Sequence, residues 1–248
     1  MSKAFYRLLP IFLICHFMAP LELGALQPVL DKVPIHEAFV SKFTDIMPNQ
    51  PVSKRPPPPI QQSILQQPSD DAQWISGYWA WIDEDQDFAW VCGVWRRPPP
   101  QHVWIPGFWI NQGENWVWAK GFWSPSKDLQ YISKAPPQSI DDKVPNSPGP
   151  NNFWIRGYWL YNQSTNNYSW LSGTWEKLNP QWILAPASYV WRPEGYVFVP
   201  MYWDFPLDER GNAYSCDSLN SPIIIQPELI IQSLYVCFPD HIFLYCHW

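Results

Sequence analysis

The hexapeptide W-x-x-G-x-W recurs along this chain, and no other feature constrains its fold as much. It stands at residues 74–79 (WISGYW), 90–95 (WVCGVW), 104–109 (WIPGFW), 118–123 (WAKGFW), 154–159 (WIRGYW) and 170–175 (WLSGTW). Two degenerate copies follow, at 182–187 (WILAPA) and 198–203 (FVPMYW). Successive starts lie 16, 14, 14, 36, 16, 12 and 16 residues apart. Repetition at such short spacing implies small units that cannot bury an apolar face alone and must stack on their neighbours.

Each unit is aromatic, β-branched and glycine-containing, the character of a short strand. The chain has 29 prolines, which argues against long helices because proline lacks the N–H and clashes with the preceding turn. The units come in pairs separated by turn-forming residues. Between Trp109 and Trp118, a two-residue loop at Gly113-Glu114 predicts a type II′ hairpin, with glycine supplying φ > 0. That register sets Trp109 opposite Trp118 and Trp104 opposite Trp123. Polar loops at 83–87 and 162–167 close the first and third pairs. Arg192-Pro193-Glu194-Gly195 closes the fourth as a type I turn followed by glycine. The expected fold is all-β: about four tandem short antiparallel hairpins, eight strands, over residues 74–211. The 26 residues at 125–150 carry no strand signal and read as a loop long enough to be mobile.

The two tryptophans of a unit are five residues apart, and odd spacing in a strand places them on opposite faces. Each hairpin therefore presents a Trp pair on each face. The central glycine leaves a gap across which a neighbouring ring can lie. The candidate binding residues are Trp74, Trp79, Trp90, Trp95, Trp104, Trp109, Trp118, Trp123, Trp154, Trp159, Trp170 and Trp175. They fill a thin core, or stack on sugars of a glycan or wall polymer, or meet a protein partner. Four hairpins have too little material to cover both faces of all of them, so at least one Trp pair is expected to be partly exposed.

In these motifs, in the Pro98–Pro100 spacer between pairs and in the segment Tyr196–Leu207, the sequence resembles the bacterial WXXGXW (YXWGXW) repeat proteins. The resemblance covers residues 74–211 and departs at Met201, where the family pattern has glycine. It implies an exported envelope protein and brings no catalytic residues.

The flanks differ. Residues 1–25 have Lys3 and Arg7 ahead of an apolar run and end in small residues, the layout of a secretory signal peptide. The run is shorter than the roughly 20 residues that span a bilayer, and no later segment qualifies as a membrane helix. Residues 26–73 hold nine prolines, including Pro56–Pro59, and read as an extended linker. Residues 212–248 form an apolar tail with short-strand character. The expected compartment is the periplasm, envelope or surface of a bacterium, with envelope proteins or cell-wall glycan as partners. An oxidising compartment favours disulfides. Cys216, Cys237 and Cys246 are the candidates, while Cys92, inside a repeat and far from them in sequence, is expected to be a free thiol.

Other chemistries find little support. A net charge of −6 disfavours nucleic acid, whose phosphates need a basic surface. His36, His102, His241 and His247 sit in no nucleophile or metalloprotease motif. The acidic run at 83–87 lacks the glycine and glutamate of an EF-hand and reads as a solvated turn. Cys237, His241, Cys246 and His247 lack clean zinc spacing. The reading is a non-enzyme with no metal and no cofactor.

Overall fold

The chain divides into two units, Met1–Val33 and Pro34–Trp248. A computed structural model describes residues 36–39, 49–62, 64, 66–211 and 213–215, all in the second unit. The expected signal peptide, most of the tail, and Cys216, Cys237 and Cys246 lie outside the described residues.

Four hairpins form, as the repeat predicts, but every arm is broken at or beside the glycine position. Hairpin 1 comprises β1 (Gln73–Ile75), β2 (Tyr78–Ile82), β3 (Asp87–Val91) and β4 (Gly93–Arg96). Hairpin 2 comprises β5 (Val103–Ile105), β6 (Phe108–Gln112), β7 (Asn115–Ala119) and β8 (Phe122–Ser124). After β9 (Tyr131–Ile132), hairpin 3 runs through β10 (Asn152–Ile155), β11 (Tyr158–Asn162), β12 (Asn167–Leu171) and β13 (Thr174–Lys177). Hairpin 4 comprises β14 (Ile183–Ala185), β15 (Ser188–Arg192), β16 (Gly195–Val199) and β17 (Tyr202–Asp204), followed by a 3-10 turn at Leu207–Glu209 and β18 (Ala213–Ser215). In each hairpin the inner strands pair with one another and the outer strands pair with one another. The register is the same on both sides of the break: Trp104 faces Trp123 and Trp109 faces Trp118. Gln112 pairs with Asn115 around the expected Gly113-Glu114 loop, and Gly113 has φ +74.

The fourth hairpin corrects the sequence alignment. Leu184 faces Trp203 and Tyr189 faces Phe198. The degenerate copy is therefore L-x-x-A-x-Y at 184–189, two residues later than the WILAPA reading. Trp182 stands outside the motif, its ring 4.9 Å from that of Phe205.

Beneath the hexapeptides lies a longer repeat. The pairs Trp79–Trp90 and Trp159–Trp170 occupy positions 80 residues apart, and so do Trp74–Trp95 and Trp154–Trp175. The equivalence extends upstream into the proline-rich stretches. Val52 bridges to Trp116, and Ile132 pairs with Tyr196. Trp79 Nε1 donates to the Pro58 carbonyl, and Trp159 Nε1 donates to the Gln138 carbonyl. Lys54 Nζ donates to Asp87, and Lys134 Nζ to Asn167. Residues 52–124 and 132–204 are thus two copies, without insertion or deletion, of a leader followed by two hairpins. The stretch at 125–150, expected as a mobile loop, is instead tied down along its length by β9, Gln138 and Asp142. Its counterpart at 52–62 lies against hairpins 1 and 2 in the same way, so the described part of the proline-rich linker packs on the repeats.

Within each copy the two hairpins join by the same contacts. Tyr78 stacks on Trp118 at 4.8 Å, and Tyr158 on Phe198 at 5.9 Å. Trp109 Nε1 donates to the Trp79 carbonyl, and the Tyr189 hydroxyl to that of Trp159. The main core gathers Ile75 and Val94 of hairpin 1, Phe122 and Trp123 of hairpin 2, Ala185, Val197, Val199 and Tyr202 of hairpin 4, and Ala38 and Phe39 from upstream. Phe153 and Ile155 of hairpin 3 pack with Leu184. The copies close on each other through a buried ion cluster. Arg96 Nη2 reaches both oxygens of Asp204, at 2.8 and 2.7 Å, and Arg210 Nη2 lies 3.2 Å from the same carboxylate.

Cys92, expected free, is disulfide-bonded. Distance along the chain misled here, because β18 returns to pair with β4, setting Ser215 opposite Gly93. The partner of Cys92 lies outside the described residues. Among those residues, no helix is long and apolar enough to cross a membrane.

Candidate functional site: the tryptophan–glycine clasp

All twelve candidate tryptophans meet in cross-strand pairs. Ring centroids are 5.2–5.6 Å apart in Trp74–Trp95, Trp79–Trp90, Trp104–Trp123, Trp109–Trp118, Trp154–Trp175 and Trp159–Trp170. Most are edge-to-face, the geometry the ring quadrupole favours, and each contributes about 0.5–1.5 kcal/mol beyond its buried area.

The glycines explain the rest of the motif. A Cβ built on Gly121 would stand 2.3 Å from Cζ2 of Trp104, and one on Gly107 would stand 2.4 Å from Cζ2 of Trp118. Gly93, Gly173 and Gly157 are covered in the same way by Trp74, Trp154 and Trp170. At these five glycines the first tryptophan of a unit thus crosses diagonally onto the glycine of the paired unit, while a Cβ on Gly77 would meet the Val91 carbonyl oxygen, Gln62 Oε1 and the Gly93 nitrogen.

Where the ladder breaks, the glycine N–H groups turn to an oxygen from outside the hairpin. Gly77 and Gly93 both donate to Oε1 of Gln62, at 3.2 and 3.0 Å. Gly157 and Gly173 both donate to Oδ2 of Asp142, at 3.1 and 2.8 Å, while Trp170 Nε1 donates to its Oδ1 at 2.9 Å. In hairpin 2, Gly121 donates to Oε2 of Glu37 and Trp118 Nε1 donates to Oε1, both at 2.8 Å. Hairpin 4 has Ala187 and Met201 in place of the glycines. Glu37, Gln62 and Asp142 escaped the reading of the sequence because they lie outside the hexapeptides. Gln62 and Asp142, each 15 residues ahead of a unit's glycine, were the available signal.

The two acids sit in different electrostatic surroundings. Burial pushes the Glu37 carboxyl up, against the opposing pull of Trp118, Gly121 and the nearby Lys120 and Arg192. Asp142, nearer solvent, is held below its usual range by the Gly173 N–H first, then the Trp170 indole, with Gly157 and Arg156 adding to it. His36, beside Glu37, is fully enclosed. It accepts from the Ala38 N–H through Nδ1, its Nε2 meets the Ser76 carbonyl at 3.0 Å, and burial lowers its pKa to about 4.

Exposure separates the rings. Trp95, Trp118 and Trp123 are buried and the other nine are half-buried. Both members are half-buried in Trp79–Trp90, Trp154–Trp175 and Trp159–Trp170. Hairpin 3 also leaves Leu160 and Leu171 exposed. In the acidic run, Asp83 accepts from Trp81 Nε1 and Asp87 from Lys54, as members of an ordinary turn. Among the described residues, no three His, Cys, Asp or Glu side chains are grouped to hold a metal ion.

This architecture, paired short hairpins built on W-x-x-G-x-W, defines a class of repeat protein. The family described as WXXGXW repeat (2 copies) matches residues 74–96, 100–124 and 153–176, so these segments of the chain carry that repeat. No curated protein and no solved structure matches the chain.

Proposed function

We propose that this is an exported, non-enzymatic repeat protein of the bacterial cell envelope with a structural or protein-interaction role. The observation that carries the reading is the use the fold makes of its aromatic residues. Each motif tryptophan is engaged by a partner ring, several also by a glycine or a carbonyl of the same chain, and none is fully exposed. Rings held this way serve cohesion before ligand capture. The pair Trp79→Ala with Trp90→Ala tests it: collapse of the cooperative thermal transition is expected. A variant that stayed folded but lost binding to an envelope polymer would overturn the structural role. Export is tested separately by N-terminal sequencing of envelope-derived protein, with cleavage expected near Ala25.

A second reading, a carbohydrate- or wall-polymer-binding module, draws support from hairpin 3. Its two Trp pairs are half-buried on both members, the partial exposure expected of a stacking surface. Quenching of intrinsic fluorescence by one of a panel of envelope polymers, abolished by Trp154→Ala with Trp175→Ala in a folded chain, would favour it.

A further inference from the structure

We propose that the paired W-x-x-G-x-W hairpin is a carboxylate clasp, a binding site for one acidic side chain made of one indole N–H and one or both glycine N–H groups, both at Asp142 and Gly121 alone at Glu37. The glycine position has two jobs. It admits the crossing ring, and it admits the oxygen: a Cβ on Gly157 would stand 2.5 Å from Oδ2 of Asp142, and Cβ atoms on Gly77 and Gly93 would stand 2.9 and 2.8 Å from Oε1 of Gln62. The indole donor is always the first tryptophan of the second unit. Trp118 and Trp170 each give their N–H to the second oxygen of the acid whose first oxygen takes a glycine N–H. An ionised carboxylate accepts through both oxygens and donates nothing, which matches the indole and glycine N–H donors that meet it here. Converging backbone N–H groups also form a concavity that favours an anion.

Charge tracks the ligand. A cation precedes one glycine in each acid-filled clasp, Lys120 beside Glu37 and Arg156 beside Asp142, and each pulls its acid toward the charged form. Hairpin 1 has Ser76 and Cys92 at those places and holds Gln62. Only one oxygen is then present, and the third donor is left over. Trp90 Nε1 is buried and has no partner among the described residues, although Trp118 and Trp170 at the matching position are both satisfied. The orphan marks where a second carboxylate oxygen belongs.

The test uses the full chain with its tryptophan indoles followed by NMR. In Asp142→Ala, Tm is expected to fall by a few degrees and the Trp170 indole N–H to exchange faster. Sodium acetate should restore both in a saturable manner, while sodium chloride at equal ionic strength should not. Acetate acting no better than chloride on the folded variant overturns the clasp. If Asp142→Ala does not fold, Gln62→Glu decides, because it keeps the side chain's length and its first oxygen and exchanges only the amide nitrogen for a second oxygen. Its second oxygen is expected to shift the Trp90 indole signal and slow its exchange several-fold, and an unchanged Trp90 indole overturns the proposal.

Discussion

The copy at 52–124 and the copy at 132–204 share strand register and turn lengths, and two of the positions where they differ lie where they touch. Arg96 in the first copy matches Glu176 in the second, and Asp204 in the second matches Ser124 in the first. Arg96 and Asp204 are the residues that meet, buried, across the closure. Their counterparts have no such meeting: Glu176 faces solvent, and the Ser124 hydroxyl turns back to the Ser126 carbonyl. The duplicated scaffold keeps the interactions inside a copy, and the divergent positions weld one copy to the other. Upstream residues add a further asymmetry. Arg96 Nε donates to the Ala38 carbonyl and Arg210 Nη1 to that of Phe39, so the short segment 36–39 seals the same joint.

The largest expected effect comes from making the copies alike at that joint. Asp204→Ser, which writes the first copy's residue into the second, leaves Arg96 and Arg210 buried without their shared carboxylate. Breaking one side of a buried ion pair costs about 3–5 kcal/mol. A guanidinium is not deprotonated in proteins, so Arg96 cannot escape by losing its proton. Urea denaturation should show the loss. A variant within 1 kcal/mol of the parent, taking about 1 kcal/mol as the ceiling for an exposed pair, would mean the weld is not where the copies are held.

Segment 36–39 sharpens the comparison through pH. His36 packs on Tyr78 and Trp104, both in the first copy. Its folded pKa of about 4 lies below the unfolded value, so between about pH 6.5 and 4 the unfolded chain takes up a proton that the folded chain refuses. Stability is therefore expected to fall as pH drops through that window, by up to about 3 kcal/mol from this group. Glu37 acts with the opposite sign. Its raised pKa gives stability that is full below the unfolded carboxylate value and lost as pH rises through the folded one, which offsets part of the His36 slope. Replacing His36 by Gln should flatten the acid limb of a plot of stability against pH. An acid limb that keeps its full slope in that variant would assign it to other groups.

The clasp gives the next effect. In hairpin 4, Leu184 and Met201 stand where hairpin 2 has Trp104 and Gly121. Loss of the ring and loss of the glycine thus coincide in this hairpin. Gly121→Ala alone is expected to cost about 1–3 kcal/mol through overpacking against Trp104. In a Trp104→Leu background the same change should cost less, a coupling that a double-mutant cycle on thermal melts measures directly. Equal costs in both backgrounds would detach the glycine from the ring above it.

Much of this was readable in the sequence, for a definite reason. The hexapeptide carries strand propensity, pairing and face in six residues, so hairpins, register and the ring-over-glycine contact follow from local chemistry. What escaped was non-local. The 80-residue copy is signalled by Ser53-Lys54-x-Pro56-Pro57 and Ser133-Lys134-x-Pro136-Pro137, a match hidden while both stretches were read as spacers. Trp182 drew the fourth hairpin two residues out of register because a tryptophan looks more like the motif than Leu184 does. Glu37, Gln62 and Asp142 are ordinary polar residues whose meaning depends on N–H groups 15 to 84 positions away. Cys92 looked isolated because sequence cannot show that β18 returns to β4.

The turns provide the smallest effects and the finest contrast between copies. Both β6–β7 and β15–β16 close over two residues, but Gly113 in the first loop is matched by Pro193 in the second, and proline cannot take positive φ. The second loop passes the unusual conformation on to Gly195, at φ +140, where a Cβ would also stand 2.7 Å from the Ile132 carbonyl oxygen of β9. Gly195→Ala is therefore expected to pay for both backbone strain and displacement of β9, about 2 kcal/mol in all. Gly113 has φ +74 but nothing within 4 Å, so Gly113→Val meets the backbone term alone, about 1 kcal/mol for a left-handed residue. Thermal melts of the two variants should rank them in that order. A reversed ranking would show that the leader strand β9 yields freely, and that the second leader is less firmly docked on its hairpins than the paired register of Ile132 and Tyr196 implies.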